Sequence, residues 1–360
     1  MRAKLIPGPG DGRGMIRVAA ITASRDDPSS RFRVRQFLAP LRELGIEAVE
    51  YRAWISKYAR GPLQLTGLGA ASRVVHAIAA RRYDVTWLNR ELVTGRQTIE
   101  RFMGGRRLLD VDDAIWLRGR PDFARRIAAS CAGVIAGNAR IADHFRGAAP
   151  RVWTVPTAVD TDVWKPAPAA REALTAGKAP ANGEAFVIGW SGTHWNLPYL
   201  YEIEETLRRF VTDHAAARIL VVCDRRPRFR RLPADRVDFQ RWSPAVEVDA
   251  LRRMSAGIMP LPDDEWGRAK CATKMLCAMA VGLPVVVSPV GAAAEILRQG
   301  PLGLAARRAE DWYDGLAQLC ADPERSAAMG RAGRRVAVER YSAAEIAKLL
   351  AAIFSEVSRQ

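Results

Sequence analysis

The sequence predicts an α/β protein built from two doubly wound sheets of mostly parallel strands, and three observations support this class. Short apolar runs, too brief for helices, alternate along the chain with segments of helical spacing. The alternation stops once, at Lys165–Glu184, a segment rich in Ala, Pro and Gly that cannot hold a strand. A second alternating series follows. The 360 residues, 49% of them hydrophobic, suffice for two domains that each bury a core.

The first half begins with Met1–Gly14, a Gly/Pro-rich stretch that we expect to be a disordered tail, followed by a domain over residues 15–164. Arg31–Leu44 is predicted to be a helix kinked at Pro40, with apolar residues facing inward and arginines outward. Such a basic helix could touch an anionic membrane, although an ordinary core helix is the commoner outcome. The other predicted elements are a helix at Ala70–Ala80 and strands at Ile16–Thr22, Glu47–Tyr51, Asp84–Leu88, Arg106–Val111, Gly133–Ala136 and Arg151–Val155.

The second half, residues 185–340, contains a strand-loop-helix-strand unit in which the helix Thr273–Val281 stops at Gly282-Leu283-Pro284. Ligands of parallel sheets bind beyond the carboxyl ends of the strands. We therefore expect the loop Pro262–Ala272 and the turn Ser288–Ala292 to face one crevice. The predicted strands are Ala185–Ser191, Ala217–Cys223, Val237–Phe239, Ile258–Leu261 and Leu283–Val287, and Ala309–Gln360 forms three helical segments broken at Pro323.

The formal charge of +16 comes from arginines spread along the whole chain. Such a surface attracts the phosphates of small ligands, anionic membranes and, without specificity, nucleic acid, and a merely solvated basic surface is an equal alternative. No apolar run approaches the ~20 residues that span a bilayer. The five cysteines are scattered, which favours a reduced, cytoplasmic compartment, and the four histidines lack metal-ligand spacing, so no metal is expected.

Several motifs resemble the GT-B glycosyltransferases, specifically the donor-sugar half of the retaining family 4, often called group 1. They are A-M-A-V-G-L-P-V-V (Ala278–Val286), S-P-V-G-A-A-A-E-I (Ser288–Ile296), I-A-G-N-A-R-I-A (Ile135–Ala142) and V-P-T-A-V-D-T-D-V-W (Val155–Trp164). Ser29–Val34, with the later Asp110-Val111-Asp112-Asp113, resembles a sub-branch carrying S-S-R-[FY]-R-V and D-x-D-D.

The resemblance implies two Rossmann-like domains facing a cleft, with a C-terminal helix over residues 341–360 that crosses back to the N-terminal domain. It also implies metal-independent, retaining transfer from a nucleotide-diphosphate sugar, UDP- or GDP-linked, to a glycan, a lipid-linked or a small-molecule acceptor. No further cofactor and no specific nucleic acid are expected.

The family's Glu-x7-Glu pair falls on Ala269 and Cys277, so both carboxylates are missing. Asp264, in the loop just upstream, could replace one of them as an acceptor of hydrogen bonds from sugar hydroxyls. The missing pair also supports an alternative function, a catalytically degenerate GT-B protein that binds nucleotide sugars or serves as a scaffold.

The predicted donor site takes its cations from Arg268, Lys270 and Lys274, near the amino end of a helix, where phosphate is already favoured. Lys270 and Lys274 are four residues apart and are expected to share a helical face, with both acting on the leaving diphosphate. The alternative is that they are surface residues of a basic protein. The remaining donor-binding candidates are Gly192, Thr193, His194, Arg241, Trp242, Gly291, Ala292 and Glu295, of which Trp242 could stack on the base.

The acceptor side centres on Asp113, which ends a strand and could orient the acceptor hydroxyl or balance the oxocarbenium charge. Its alternative role is to cap the helix that follows. Asp110-Val111-Asp112 also resembles the metal-binding D-x-D of the GT-A fold, an interpretation that the second doubly wound domain disfavours. The other acceptor-side candidates are Ser30, Arg31, Asp112 and a predicted Arg90–Glu91 ion pair.

Overall fold

The computed structural model describes residues 15–25, 27–55, 67–167 and 185–359. The predicted tail Met1–Gly14 and most of the predicted linker Lys165–Glu184 lie outside the described residues. The chain divides into two compact units. The first comprises the described residues of Met1–Ala158 together with Ala269–Cys271 and Ala343–Gln360, and the second comprises those of Val159–Arg268 and Ala272–Ser342.

The first unit is built on a six-stranded parallel sheet with the order β2-β1-β3-β4-β5-β6. β3 and β5 are buried along their whole length, and β1 and β4 are buried from Val18 and Leu108 onward, as expected of a parallel sheet covered on both faces. The strands are β1 (Ile16–Thr22), β2 (Ile46–Arg52), β3 (Val85–Asn89), β4 (Arg106–Val111), β5 (Gly133–Ala136) and β6 (Val152–Thr154).

Six described helices flank this sheet. The C-terminal one lies against its core, where the rings of Trp87 and Phe354 meet edge to face at 5.2 Å. The helices are α1 (Pro28–Arg33), α2 (Leu38–Glu43), α3 (Gly67–Ala80), α4 (Phe123–Ala129) and α5 (Ala139–Phe145), joined by the C-terminal helix at Ala343–Ser358.

The single helix predicted for Arg31–Leu44 is wrong. Pro40 has no N–H to donate to the carbonyl of Gln36, which is tolerated in the first turn of a helix but not in its interior. The chain instead forms α1, a 3₁₀ turn at Arg35–Phe37 and α2, with Pro40 in the first turn of α2. Val34, Phe37 and Leu41 are buried in the core, whereas Arg33, which was predicted to face outward or toward the cleft, is only 1% exposed.

The second unit contains a six-stranded parallel sheet with the order β12-β11-β10-β7-β8-β9. Two parallel six-stranded sheets flanked by helices confirm the predicted fold class. The strands are β7 (Val187–Gly192), β8 (Arg218–Cys223), β9 (Val237–Arg241), β10 (Ala256–Met259), β11 (Val285–Val287) and β12 (Gly303–Ala305).

Helices flank this sheet as well. The second of the two helices between β10 and β11 carries Lys274, one of the predicted donor-site lysines. They are α6 (Leu197–Glu202), α7 (Glu204–Asp213), α8 (Glu247–Arg252), α9 (Glu265–Arg268), α10 (Thr273–Ala280), α11 (Ala292–Leu297), α12 (Ala309–Ala321) and α13 (Pro323–Tyr341). The C-terminal helix Ala343–Ser358 of the first unit is α14. In the described part of the chain, no helix combines the length and the apolar character needed to cross a bilayer.

The second unit begins at Val159, earlier than the predicted linker. The backbone N–H of Val159 donates to the carbonyl of Tyr341 at 2.8 Å. The guanidinium of Arg334 donates to the carbonyl oxygens of Thr161 and Trp164 at 2.9 and 2.7 Å. These bonds attach the stretch before the linker to α13 rather than to the first sheet.

Candidate functional site

The carboxyl end of β4 carries a buried ion pair. Asp110 is fully buried and accepts hydrogen bonds from Arg33 Nε at 2.8 Å and from Trp87 Nε1 at 3.0 Å. Arg33 also donates to the carbonyl of Val155 at 2.9 Å. Burial alone lowers the pKa of the Arg33 guanidinium, but the charge and hydrogen bond of Asp110 outweigh it and raise that pKa. Asp110 is therefore a structural carboxylate that ties α1 to the sheet.

Two residues further on, Asp112 is held by the segment that follows β3. Arg90 Nε donates to its Oδ1, and Ser29 Oγ donates to the same atom at 2.8 Å. Burial alone raises the pKa of Asp112, but the charge and hydrogen bond of Arg90, together with the Arg33 charge and the Ser29 hydrogen bond, outweigh it and hold the pKa at about 2. Arg90 itself has a φ of 63°, a left-handed conformation uncommon for a side chain of its size. Asp112 is thus a fixed anion at the end of the sheet.

Asp113 and Lys270, predicted on the acceptor and donor sides respectively, form an ion pair within the first unit. Lys270 Nζ donates to Asp113 Oδ2 at 3.0 Å, and the two side chains are 20% and 14% exposed. Arg90 Nη2 lies 3.9 Å from the same oxygen. The 3₁₀ turn that follows, Ile115–Leu117, begins after Ala114 and has no side-chain capping bond, so the geometry does not show Asp113 as a helix cap.

Lys270 belongs to the segment Ala269–Cys271, which packs with the first unit. Asn138 Nδ2 donates to the Lys270 carbonyl at 3.1 Å, and Cys271 Sγ donates to the Asp112 carbonyl at 3.3 Å. Ala272 then takes a φ of 53°, and helix α10 begins only at Thr273. The prediction that Lys270 and Lys274 share a helical face is therefore wrong, because Lys270 precedes the helix.

In the second unit, Lys274 lies across the carboxyl end of β7. Its Nζ is 4.5 Å from the centroid of the Trp190 ring, and a Cβ placed on Gly192 would come within 2.6 Å of that Nζ. Lys274 is the second residue of α10. Its positive charge and the amino end of the helix dipole therefore lie together at the carboxyl end of β7. Gly192 is the residue type that leaves room for this packing.

Next to Gly192, His194 is held by Asp224, a residue that we did not predict. The backbone N–H of His194 donates to Asp224 Oδ1 at 2.7 Å, and its ring Nδ1 lies 2.5 Å from Oδ2. Burial alone raises the pKa of Asp224, but the hydrogen bonds from the His194 backbone and ring lower it. Among the described residues, the buried His194 Nε2 has no hydrogen-bond partner. The pair therefore presents one oriented ring nitrogen.

Sequence reasoning could have found Asp224 from strand register. β7 and β8 are parallel neighbours in which Gly192 pairs with Cys223, so the residues just beyond both strands must be adjacent. Thr193 follows Gly192 directly and accepts a hydrogen bond from Asn196 Nδ2 at its Oγ1.

The loop before α10 and the turn after β11 meet within the second unit. Gly291 has a φ of 53°, and a Cβ there would lie 2.4 Å from the Arg268 carbonyl oxygen. Arg268 Nε is bonded to Asp263 at 2.7 Å on the exposed surface, while Asp264 accepts from the Gly267 backbone N–H at 2.6 Å. Arg268 and Asp264, both predicted to bind the donor, are thus hydrogen-bonded to neighbours within their own loop. The helix that starts at Ala292 carries an exposed Glu295 in its first turn.

Four more positions considered in the sequence have described surroundings. The strand β9 extends to Arg241, two residues beyond its predicted end, and the backbone of the half-buried Trp242 donates to the Cys223 carbonyl at 2.9 Å. Ala269 and Cys277, where the family carboxylates would stand, are buried at 0% and 5% exposure.

The first unit also has a polar cavity at the carboxyl ends of β1, β2 and β3. It is lined by Thr22, Asn89, the buried Glu91 and, from α3, by Arg73 and His76. Burial lowers the pKa of both Arg73 and His76. Of the other acceptor-side candidates, Ser30 Oγ donates to Asn89 at 2.9 Å, and the guanidinium of Arg31 lies 5.3 Å from the ring of Phe32.

Comparison with known proteins identifies related folds. Residues 185–322 match the family described as glycosyl transferases group 1. HepE of Anabaena, in complex with UDP and glucose, is 13% identical over 95% of this chain and 99% of its own, with a TM-score of 0.67. Sucrose-phosphate synthase of Thermosynechococcus elongatus is 14% identical over 95% and 98%, with a TM-score of 0.68.

A third similar structure is WaaG, described as a glycosyltransferase involved in lipopolysaccharide biosynthesis. It is 13% identical over 94% of this chain and 99% of its own, with a TM-score of 0.64. No curated protein matches the chain.

Proposed function

We propose that this chain, which has the GT-B fold and matches the group 1 glycosyltransferase family over residues 185–322, is a retaining glycosyltransferase that uses a nucleotide-diphosphate sugar. The observation that supports this most is Lys274, a cation placed over Trp190 at the carboxyl end of β7 and at the amino end of α10. Fixed cations at that place suit a diphosphate.

The proposed donor site lies in the second unit. HepE structures hold UDP and UDP-glucose, which supports a UDP-sugar, with a GDP-sugar as the alternative. Lys274 and the oriented Nε2 of His194 would contact the diphosphate, and Trp242 would stack on the base. The diphosphate gains charge as the glycosidic bond breaks, so these groups stabilise the transition state more than the ground state.

The proposed acceptor side lies in the first unit, where Asp113 orients the acceptor hydroxyl. Lys270 then acts through Asp113, because their 3.0 Å ion pair fixes the carboxylate. In front-face transfer the leaving phosphate takes the proton of the acceptor hydroxyl, and the protein supplies position and charge. The acceptor would be a glycan, a lipid-linked or a small-molecule hydroxyl.

We propose that transfer needs no metal. Asp110 and Asp112, the carboxylates of the D-x-D pattern, are each bonded to an arginine. Among the described residues, no three His, Cys, Asp or Glu side chains cluster so as to hold a metal ion.

The proposed location is cytoplasmic, with peripheral contact at an anionic membrane and no specific nucleic-acid partner. All five cysteines are free, as in a reducing compartment. Attraction to nucleic acid that is purely electrostatic would show as retention on heparin that disappears at modest salt.

The test is a thermal-shift screen of UDP-, GDP-, ADP- and TDP-sugars, followed by calorimetry with the donor that raises the melting temperature. Lys274→Ala is expected to weaken donor binding, whereas Lys348→Ala, a control lysine paired with Glu345 on α14, leaves it unchanged. Equal binding by all three proteins would refute the site. Tight binding without any product in the presence of acceptors would favour the degenerate alternative.

A further inference from the structure

Helix α3 has its apolar and polar faces reversed relative to the usual surface helix: the apolar side faces outward and the polar side faces inward. Its exposed side carries Leu68, Val74, Val75 and Ile78, which are 65%, 51%, 45% and 58% exposed. Its inward side carries Ser72 and His76, which are 2% and 4% exposed. A surface helix of a globular protein normally places its apolar residues inward and its polar residues outward. The apolar face of α3 therefore contributes little to the core and requires another explanation.

Two exposed aromatic residues lie beside α3, one next to its inward residue Ser72 and the other near its carboxyl end. The backbone N–H of Trp54 donates to Ser72 Oγ at 3.2 Å, and the Trp54 side chain is 54% exposed. Phe102, 58% exposed, lies two residues before Gly104, where a Cβ would come within 2.3 Å of Arg81 Cα at the end of α3. Together these six residues form what we call the α3 patch: Trp54, Leu68, Val74, Val75, Ile78 and Phe102.

The charges beside the α3 patch are positive. Arg81 and Arg82 follow α3 directly and are exposed, and the guanidinium of Arg101 lies 4.5 Å from the Phe102 ring centroid. No acidic residue occurs between Gly67 and Tyr83. Exposed aliphatic residues bordered by Trp, Phe and Arg are the combination that settles at the interface of a bilayer with anionic headgroups.

We propose that the α3 patch docks the protein on the surface of an anionic membrane. A second copy of this chain is a poorer occupant. A 14-residue helix presents a strip about 21 Å long and about 10 Å wide, far below the ~800 Å² per partner of a stable interface. Two copies would also each bring a formal charge of +16.

Docking through α3 would bring the cavity behind this helix close to the membrane surface. Arg73 and His76 of α3 line the polar cavity that also contains Glu91, so one helix separates the α3 patch from that cavity. A lipid-linked acceptor fits this arrangement, and this step alone rests on the proposed function.

Vesicle co-sedimentation of the full chain tests the docking without any nucleotide sugar. We expect wild type to bind vesicles of phosphatidylglycerol and phosphatidylcholine in equal parts, and to bind pure phosphatidylcholine much less. Val75→Ser combined with Ile78→Ser should weaken binding at least about tenfold, since burial of each side chain is lost. Leu349→Ser, at a 46% exposed position on α14, is the matched control and should bind as wild type does.

Arg81→Gln with Arg82→Gln should remove most of the preference for phosphatidylglycerol, and this variant leaves the apolar face intact. An unchanged melting temperature and unchanged donor binding show that each variant is folded. The proposal is overturned if wild type ignores anionic vesicles, or if both double variants bind as wild type does. It is equally overturned if light scattering shows a dimer that the serine variant dissociates.

Discussion

Gly192→Ala probes the proposed donor site through its steric consequence. The new Cβ would lie 2.6 Å from Lys274 Nζ and 2.8 Å from Trp190 Cη2, both well inside contact distance. Trp190 is 1% exposed and cannot move, so the flexible lysine must yield. Loss of a charge-assisted bond from Nζ to the diphosphate costs about 1.5–3 kcal/mol, which weakens donor binding about 10- to 150-fold. The melting temperature should also fall, because the contact with the buried Trp190 ring costs stability wherever the lysine moves.

A double-mutant cycle makes this prediction quantitative. Calorimetry with the donor is carried out on wild type, Gly192→Ala, Lys274→Ala and the double variant. Because both changes act through one amine, the double variant should bind no more weakly than Lys274→Ala alone. Gly333→Ala on α13, where the nearest atom is a flexible Met279 Cγ at 3.2 Å, is the control for a buried glycine substitution. Additive losses in the double variant would refute the reasoning.

Three further predictions concern the end of β4. Asp113→Asn should lower kcat at least ~100-fold while donor affinity and melting temperature barely change, and wild-type turnover would remove Asp113 from the chemistry. Asp110→Asn leaves the buried Arg33 guanidinium without its carboxylate. It should reduce the free energy of unfolding, measured in urea, by about 3–5 kcal/mol. An unchanged midpoint of urea unfolding would contradict the structural role. The pKa of Asp112 is about 2 in the folded state and about 3.9 when unfolded. The stability advantage of wild type over Asp112→Asn should therefore be complete above about pH 4 and lost as the pH falls towards 2, and an advantage that persists below pH 2 would be the contrary result.

The strands were the most predictable part of the fold. β1, β4 and β5 begin and end at the residues expected from the sequence, because each contains a short apolar run that is too brief for a helix. The helix expected at Arg31–Leu44 failed because spacing alone does not say where a chain breaks. Here the break precedes Pro40, at Val34, whose φ of −129° and ψ of −64° are not helical.

The site was less predictable, because its contacts join residues far apart in the sequence. Asp113 and Lys270 are 157 residues apart in the sequence, and no local sequence pattern predicts that they pair. Helix α10 begins at Thr273, as the sequence predicted, so Lys270 lies outside it, but the left-handed Ala272 that separates the two is a conformation that an alanine does not signal. By contrast, the His194–Asp224 pair follows from strand register once β7 and β8 are known to be neighbours.

The most direct test of the central claim is sugar transfer itself. The donor found by thermal shift is incubated with the protein and a panel of glycan, lipid-linked and small-molecule acceptors, in the presence and absence of EDTA, and products are followed by mass spectrometry and NMR. We predict release of the nucleoside diphosphate and an acceptor heavier by one glycosyl residue, with the donor's anomeric configuration kept and the rate unaffected by EDTA. Inverted products, or turnover that collapses in EDTA and returns with Mg²⁺ or Mn²⁺, would contradict the account.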